Sequence, residues 1–276
     1  MSDKKKKTPY AKKSFGQNFL VDENYIEKII SALDIQPSDS IIEIGGGRGA
    51  LTEKLIESGA NVTGIELERD MIAVLKEKFD GFENFKLIEG DALKVDYEKL
   101  INSKYETPNP KFKLVANLPY YISTAILQKL IEQRDVFSEI ILMFQREVVE
   151  RITAEVGSRE RGFLTVLTEA FLTAEKLFDV PPNAFRPAPK VWSAVVRLRP
   201  KFEADLSDES LFRELISAGF VQKRKTILNN LKSAPARLKA RTGDPAQLLE
   251  KAGIEPNRRA ETLTLEEWKQ ILANLT

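Results

Sequence analysis

The sequence predicts an α/β protein, a parallel sheet with helices on both faces, followed by a small all-helical domain. Short apolar runs that are typical of buried strands alternate with helical periodicity between residues 40 and 144. The first run leads into the glycine-rich segment Gly45–Gly49, as in units where a strand, a tight turn and a helix follow one another. Beyond Pro200 only helical patterns remain. These observations divide the chain into a flexible basic tail at 1–13, an α/β domain at 14–200 and a helical domain at 201–276.

The first predicted elements are a helix and a strand. Asp22 suits the N-cap position, the apolar residues between Ile26 and Leu33 recur at helical spacing, and Pro37 ends the pattern. The apolar run Ser40–Ile44 is typical of a short buried strand.

The other elements rest on the same two patterns, because continuous apolar runs predict strands and apolar residues three or four positions apart predict helices. Further strands are predicted at Asn61–Ile65, Phe85–Ile88, Phe112–Ala116, Ile140–Phe144 and Val191–Leu198. Further helices are predicted near Leu51, near Met71, at 122–133, at Arg146–Ala154, in an apolar segment that leads to Val180, and at 209–219, 224–232, 246–252 and 264–274.

Four polar or glycine-rich features each follow a predicted strand: Gly45–Gly49, Glu66, Asp91 and Asn117. Short right-handed crossovers bring the carboxyl ends of parallel strands to one edge of the sheet, where ligands bind in open α/β folds. We therefore expect these features to share one rim.

Composition excludes several kinds of chemistry. The chain has no Cys and no His, which removes disulfides, thiolate nucleophiles, Ser-His-Asp triads and nearly all zinc sites, and no metal is expected. Net charge is +1, but residues 1–13 carry six lysines against one aspartate, a net charge of +5, which suits either a solvated tail or an arm that binds nucleic acid. No apolar run has the length of a membrane span, so a cytoplasmic protein without a membrane partner is expected.

The glycine-rich turn and Glu66 are compatible with two different cofactors. Gly45–Ala50 satisfies the relaxed dinucleotide fingerprint, and Glu66 is placed to accept the hydroxyl groups of a ribose. Nicotinamide dinucleotide and S-adenosylmethionine both suit these residues. Asp91 suits the exocyclic amine of an adenine ring that lies across the sheet edge.

The segment Asn117–Tyr120 indicates which of the two candidate cofactors the site suits. The amide of Asn117 offers an acceptor beside a donor. Pro119 biases Leu118 away from the helical region, so that the Leu118 carbonyl can point into a cleft. Tyr120 supplies a face on which a base can stack. Such a set is poorly suited to hydride transfer, for which His is the commonest proton donor, but it suits an amino group held towards a methyl sulfonium.

Seven segments in order along the chain resemble the ribosomal RNA adenine dimethyltransferases, specifically the small-subunit enzymes. They are Phe15–Leu20, Glu43–Thr52, Gly90–Leu93, Asn117–Tyr120, Phe185–Val195, Arg224–Thr226 with Asn229 and Leu231, and Arg259–Leu263. One departure is Gly46, where proline is frequent in relatives, and it is expected to change loop stiffness more than ligand identity.

The resemblance implies a Rossmann-like methyltransferase sheet, mostly parallel with an antiparallel last strand, and a C-terminal helical domain. It implies S-adenosylmethionine as methyl donor and two adjacent adenosines near the 3′ end of small-subunit rRNA as acceptors, each methylated twice on N6. The implied setting is ribosome biogenesis, with rRNA in a pre-ribosomal small subunit as partner and the protein as a monomer.

The resemblance also implies site residues. Cofactor contacts are expected at Asn18, Leu20, Gly45, Gly47, Glu66, Asp91, Ala92 and Asn117. Catalytic roles are expected for Asn117, Leu118, Pro119, Tyr120 and Phe185. The Asn117 side chain and the Leu118 carbonyl would accept hydrogen bonds from the adenine amino group, and Tyr120 and Phe185 would clamp the ring, with no general base. From charge alone, and not from the resemblance, RNA contacts are expected from Arg146, Arg151, Arg159, Arg161, Lys223, Arg224, Lys225 and the N-terminal lysines, although a solvated charged face explains any one of them equally well.

Three other functions are compatible with parts of the pattern. A related methyltransferase that acts on large-subunit rRNA would share the catalytic segments, although Arg224–Thr226 and Arg259–Glu261 favour the small subunit. An assembly or transcription factor could keep the fold for binding alone. A nicotinamide-dependent dehydrogenase would share the glycine-rich turn.

Overall fold

The structure is a computed structural model that describes residues 18–102, 111–201 and 206–275. The predicted tail 1–13 and residues Phe15–Gln17 of the first family segment lie outside the described residues. The chain forms two compact units, one of Met1–Val149 and Glu175–Pro200 and the other of Glu150–Ala174 and Lys201–Thr276. The second unit therefore combines the C-terminal residues with Glu150–Ala174, which the sequence assigns to the α/β domain.

The strands follow the predicted apolar runs and include three further ones. Their bounds are β1 (Phe19–Leu20), β2 (Ser40–Ile44), β3 (Asn61–Glu66), β4 (Phe85–Glu89), β5 (Phe112–Asn117), β6 (Phe137–Gln145), β7 (Leu172–Val180), β8 (Phe185–Arg186) and β9 (Ser193–Pro200).

Seven of these strands form the main sheet in the order β4-β3-β2-β5-β6-β9-β7. The pairs from β4 to β6 are parallel, and β9 is antiparallel to β6. The predicted mostly parallel sheet with an antiparallel last strand is therefore confirmed. All five residues of β2 are buried, as expected for a strand that is covered on both faces.

The helices of the first unit alternate with these strands. They are α1 (Glu23–Ala32), α2 (Ala50–Glu57), α3 (Arg69–Phe79), α4 (Tyr97–Asn102) and α5 (Ser123–Glu132), and α6 (Arg146–Ile152) runs from the first unit into the second. The Asp22 side chain accepts a hydrogen bond from the Asn24 amide and caps α1, so the predicted N-cap is confirmed.

The second unit contains the remaining α-helices of the described residues. Its helices are α7 (Phe163–Phe171), α8 (Glu209–Gly219), α9 (Ile227–Lys232), α10 (Ala236–Thr242), α11 (Pro245–Lys251) and α12 (Leu265–Ala273). Trp268 is fully buried, and a Cβ atom on Gly219 would lie 2.3 Å from its ring. Because of this close approach, a residue larger than glycine at position 219 would clash with Trp268 where α8 packs against α12.

Two local features differ from the sequence prediction. The apolar helix predicted to lead to Val180 ends at Phe171, and the chain continues as the edge strand β7. Because β7 carries charged residues and lacks a regular alternation of buried positions, its sequence gives no strand signal. In addition, β1 pairs with β8 in a separate two-stranded ladder. None of the described helices has the length and apolar character needed to cross a bilayer.

Candidate active site

Two adjoining pockets lie at the carboxyl ends of β2 and β5. These strands are neighbours, with Ile44 opposite Ala116, so the residues that follow, Gly45 and Asn117, lie side by side. In the sheet, β2 lies between β3 and β5. The chain adds β3 and β4 on one side of β2 and then returns to add β5 on the other side. This reversal of strand order is the place where open α/β sheets bind ligands.

The pockets contain every catalytic and cofactor-binding residue that the sequence predicts. The first pocket is lined by Asn18, Leu20, Gly45, Gly47, Glu66, Asn117, Leu118, Pro119, Tyr120 and Phe185, together with Phe19, Glu43, Gly46, Arg48, Ala50 and Leu51. The second pocket is lined by Asp91 and Ala92, by Gly45, Glu66, Leu118 and Pro119 again, and by Ile44, Ile65, Leu67, Glu68, Gly90, Tyr121 and Ile122. The four shared residues show that the two pockets lie next to each other.

The glycine-rich turn approaches its neighbours too closely for larger residues. Gly47 has a φ of +54°, and a Cβ atom there would lie 3.2 Å from the ring of Phe19. Gly49 has a φ of +84°, and a Cβ atom would lie 2.6 Å from Phe79. The three glycines Gly45, Gly46 and Gly47 thus leave an open stretch in the wall of the first pocket, because they have no side chains.

Glu66 connects the end of β3 to this turn. Its Oε2 atom accepts a hydrogen bond from the Gly47 amide at 3.0 Å, and its Oε1 atom accepts from the amides of Leu67 and Glu68 at 2.9 and 3.0 Å. The side chain is buried. Two acceptor positions on Oε1 are therefore occupied, and Oε2 retains one position for a hydroxyl group in the pocket.

The Asn117–Tyr120 turn presents two acceptors. The Asn117 Nδ2 group donates weakly to the Asn18 carbonyl at 3.5 Å. Within the described ranges, no donor bonds to Asn117 Oδ1 or to the Leu118 carbonyl oxygen. The Leu118 side chain is buried, so its backbone contributes the polar part of this pocket wall.

The two aromatic residues of the site are held from different elements. The Tyr120 hydroxyl lies 2.9 Å from the Ser193 hydroxyl at the start of β9. Burial raises the pKa of Tyr120 above its ordinary value, against a smaller lowering by the Ser193 hydrogen bond. Phe185 is buried, and β8 pairs it with Leu20 in β1. This pairing brings the predicted residues of the N-terminal and the proline-rich segments into one pocket.

The second pocket contains a carboxylate with a free oxygen. Asp91 Oδ1 accepts from the Leu93 amide at 3.0 Å, whereas no donor in the described ranges reaches Oδ2. The Tyr97 hydroxyl donates to the Ala92 carbonyl at 3.0 Å and fixes this wall. Burial, with a smaller contribution from Asp91, raises the pKa of Tyr97, so that this hydroxyl keeps its proton.

Sequence reasoning missed Glu43 as a pocket residue. It lies in β2, is buried, and accepts a hydrogen bond from the Thr52 hydroxyl at 2.6 Å. The pKa of Glu43 is raised to about 7, mainly by burial. The hydrogen bond from Thr52 opposes this rise, and the charge of Glu66 adds to it. A single acid inside the apolar run Ser40–Ile44 was the available signal, because buried carboxylates are rare.

The predicted RNA-contact residues divide into two groups. Arg161 is 1% exposed, and its Nη2 atom bonds to Glu169 at 2.6 Å and to the Leu263 carbonyl at 3.2 Å. The prediction that Arg161 contacts RNA is therefore wrong, because its guanidinium is used inside the second unit. The exposed basic residues are Arg146, Arg151, Arg159, Lys223, Arg224 and Lys225.

A family model for ribosomal RNA adenine dimethylase matches residues 9–274. The chain belongs to this family. It is an rRNA adenine dimethyltransferase with S-adenosylmethionine as methyl donor. The predicted family, enzyme class and cofactor are thus confirmed, and the predicted dehydrogenase alternative is wrong.

Similar proteins from bacteria match over most of their length. The ribosomal RNA small subunit methyltransferase A of Clostridium botulinum strain Loch Maree is 41% identical over 94% of this chain and 92% of that protein. The protein of the same name from Streptococcus uberis is 40% identical over 94% of this chain and 90% of that protein.

Two solved structures have the same fold. A dimethyladenosine transferase from Plasmodium falciparum has a TM-score of 0.75 at 30% identity and covers 92% of this chain and 96% of its own. The 23S rRNA methyltransferase ErmE has a TM-score of 0.66 at 25% identity and covers 94% of this chain and 99% of its own. The predicted Rossmann-like methyltransferase fold is confirmed.

Proposed function

We propose that this enzyme dimethylates N6 of two adjacent adenosines near the 3′ end of small-subunit rRNA, within a pre-ribosomal small subunit. The small-subunit name of the two bacterial relatives, at 40–41% identity, supports this substrate over the 23S rRNA named for a 25% identical structure. Action as a monomer in the cytoplasm, where bacterial ribosomal subunits are assembled, is part of the same proposal.

The observation that carries the proposal is the Asn117–Tyr120 turn at the junction of the two pockets. It contributes two oxygen acceptors without donors in the described ranges, Asn117 Oδ1 and the Leu118 carbonyl, and the Tyr120 ring in the same wall. An exocyclic amino group has two N–H donors, so the acceptors match it in number and in polarity.

We assign cofactor binding to the residues around this turn. S-adenosylmethionine, when bound, supplies an electrophilic methyl group on a sulfonium. The open glycine wall at Gly45 and Gly47, the remaining acceptor position of Glu66 Oε2 and the free Asp91 Oδ2 suit a nucleoside with hydroxyl and amino groups. Asn18, Leu20, Ala92 and Asn117 complete the set of residues that would hold it.

The catalytic role proposed for the turn is to prepare the adenine amino group. Its nitrogen lone pair is delocalised into the ring, which makes the group a poor nucleophile. Hydrogen bonds to Asn117 Oδ1 and the Leu118 carbonyl favour a tetrahedral nitrogen with an available lone pair. Pro119 holds the Leu118 carbonyl in place, because proline fixes its own φ and restricts the preceding residue.

Tyr120 stacks on the base while this occurs, and Phe185, which is 1% exposed, contributes to the wall of the pocket. Both line the first pocket, and a base must leave its stack to reach such a pocket. Aromatic side chains stabilise the extruded base by stacking. No acid or base is assigned to the chemical step, and the proton leaves to water after transfer.

The test is methyl transfer from tritiated S-adenosylmethionine to undermethylated small subunits, followed by nucleoside analysis and mapping on each rRNA. Dimethyladenosine at two adjacent positions of small-subunit rRNA is expected. The Asn117→Ala variant is expected to lose transfer, whereas its cofactor affinity, measured by calorimetry, stays within a few-fold of wild type. Dimethyladenosine on large-subunit rRNA alone would contradict the substrate, and near wild-type transfer by Asn117→Ala would contradict the mechanism.

A further inference from the structure

An exposed aromatic residue lies beside the active site at the end of the β6–β9 pair. The ladder between these strands runs to Gln145 opposite Ser193. The Arg146 amide then donates to the Trp192 carbonyl at 2.9 Å, which extends the pairing by one residue. Trp192 and Arg146 are therefore cross-strand neighbours just beyond the regular sheet.

This end of the pair is on the rim that carries the active site. Met143 of β6 is opposite Asn117 of β5. Arg146 follows Met143 by three residues, so its backbone lies about 10 Å further in the strand direction, at about 3.3 Å per residue. The Trp192–Arg146 pair thus projects past the strand end from which the Asn117–Tyr120 turn begins.

A short covalent and hydrogen-bonded path joins this pair to the substrate pocket. Trp192 is followed by Ser193, and the Ser193 hydroxyl lies 2.9 Å from the hydroxyl of Tyr120. Ser193 is buried, so it anchors the Tyr120 ring on one side and the Trp192 backbone on the other. A nucleotide bound at Trp192 would therefore adjoin one bound at Tyr120.

The chemistry of the pair suits single-stranded nucleic acid. The Trp192 side chain is 45% exposed, and the Arg146 guanidinium lies 5.9 Å from the centre of its ring. The neighbouring residues Lys190 and Val191 are also exposed. An indole offers the largest stacking surface of any side chain, and nearby cations attract the phosphate backbone. By contrast Trp268, the other tryptophan of the chain, is fully buried.

We propose that Trp192 is a stacking site for the base next to the target adenosine, with Arg146 and Lys190 facing the adjoining phosphates. The inference rests on the proposed RNA substrate, in which the two acceptors are adjacent. When one base is extruded into the pocket, its neighbour loses a stacking partner. Trp192 replaces that partner, keeps the strand in register at the pocket, and holds the second adenosine beside the first.

The test compares Trp192→Ala and Trp192→Phe with a matched control, Phe82→Ala. Phe82 is 50% exposed but precedes β4, at the opposite edge of the sheet. With undermethylated small subunits, Trp192→Ala is expected to raise the KM for RNA by about 10-fold or more, which corresponds to the loss of one base–aromatic stack. Trp192→Phe is expected to have a KM for RNA close to the wild-type value, because phenylalanine keeps an aromatic stacking surface. Cofactor affinity and melting temperature stay at wild-type values in all three.

Tryptophan fluorescence gives a readout that a purely structural role would not change. A short single-stranded RNA with two adjacent adenosines is expected to quench the wild-type emission, because stacked bases quench indole, and to leave the emission of Trp192→Ala unchanged. Phe82→Ala is expected to behave as wild type. Equal quenching with and without Trp192, or a KM for RNA within twofold of wild type in Trp192→Ala, would overturn the proposal.

These results are separable from failure of the proposed function. If wild-type enzyme produces no dimethyladenosine in small-subunit rRNA, the substrate is wrong. If it does so and Trp192→Ala does so equally well, only the stacking site is wrong.

Discussion

The hydroxyl groups of Tyr120 and Ser193 lie 2.9 Å apart and join the Asn117–Tyr120 turn to the first residue of β9. Tyr120 is half-buried, whereas Ser193 is 1% exposed. A residue that lines the first pocket is thus fixed by a residue of the core, and the antiparallel strand β9 takes part in the geometry of the site.

Removing either hydroxyl should loosen the Tyr120 ring by the same amount. A neutral hydrogen bond contributes about 0.5–1.5 kcal/mol, so Ser193→Ala and Tyr120→Phe are each expected to lower kcat/KM for RNA by about 2- to 12-fold. The double variant should be no worse than either single one, because both remove one interaction. Single-turnover assays with all three variants measure this, and fully additive losses would show that the hydrogen bond is not what positions the ring.

The carboxylate of Glu66 should be irreplaceable by an amide. Its oxygens accept from the amides of Gly47, Leu67 and Glu68, and the –NH₂ group of Gln would face at least one of these donors. Since a hydrogen bond to a charged group contributes about 1.5–3 kcal/mol, Glu66→Gln is expected to weaken S-adenosylmethionine binding by about 10-fold or more and to lower the melting temperature.

The control for Glu66 is the acid at the end of the adjacent strand. Glu89 is opposite Glu66 in the β3–β4 ladder, is exposed, and pairs with Lys76. Glu89→Gln is expected to bind the cofactor as wild type does in isothermal calorimetry. Wild-type affinity in Glu66→Gln would show that the three backbone bonds do not shape the pocket.

A methyl group on the glycine-rich turn should act on the pocket and not only on the backbone. Gly47→Ala introduces a Cβ atom 3.2 Å from the Phe19 ring at a φ of +54°. Gly157 has a φ of +84° with no atom within 4 Å of an added Cβ, so Gly157→Ala has the backbone strain alone. Both variants are expected to lose about 1–2 kcal/mol of stability, but only Gly47→Ala should lose cofactor affinity. Equal affinities in the two variants would contradict this.

The buried carboxyl of Glu43 makes stability depend on pH. Its pKa is raised by burial from 4.5 to about 7, so between these values the folded protein holds a proton that the unfolded chain releases. The stabilisation is present below pH 4.5 and is lost as the pH rises through about 7. The free energy of unfolding should fall by on the order of 3 kcal/mol from this group.

Glu43→Gln is expected to remove this loss. The amide oxygen can still accept from the Thr52 hydroxyl, so the variant should match wild type near pH 5 and be more stable at pH 8. Denaturant unfolding at the two pH values measures the difference, with Glu53→Gln, an exposed acid on α2, as the control. A variant with the wild-type decline between pH 5 and pH 8 would assign that decline to other groups.

The rim of the sheet was predictable because it follows from topology alone. Polar residues after parallel strands meet at one edge, and this rule placed Glu66, Asp91 and Asn117 at adjoining pockets without knowledge of any contact. The strands that carry them, β3, β4 and β5, differ from the predicted runs by one residue at most.

Long-range and edge features were not predictable in the same way. The pairing of β1 with β8, which brings Phe185 against Leu20, joins segments of two residues that have no strand periodicity. The edge strand β7 has charged residues where a buried strand would have apolar ones. The RNA contact predicted for Arg161 was wrong for a different reason. An arginine in a Gly/Arg-rich loop has the same sequence signature whether it faces solvent or bonds to a carboxylate such as Glu169.

Alanine substitutions at Arg159 and Arg161, two residues apart, should therefore affect different properties: RNA binding for Arg159 and stability for Arg161. Arg161 is buried and bonds to Glu169 and to the carbonyls of Ala154 and Leu263, so Arg161→Ala is expected to lower stability by about 2 kcal/mol or more, with the partly exposed Glu169 limiting the loss. Arg159 is exposed. Arg159→Ala should keep the melting temperature and, if it contacts a phosphate, reduce the salt dependence of RNA binding by about one unit of slope. Thermal melting and RNA titrations at several salt concentrations distinguish the two, and a stable Arg161→Ala with weakened RNA binding would reverse the assignment.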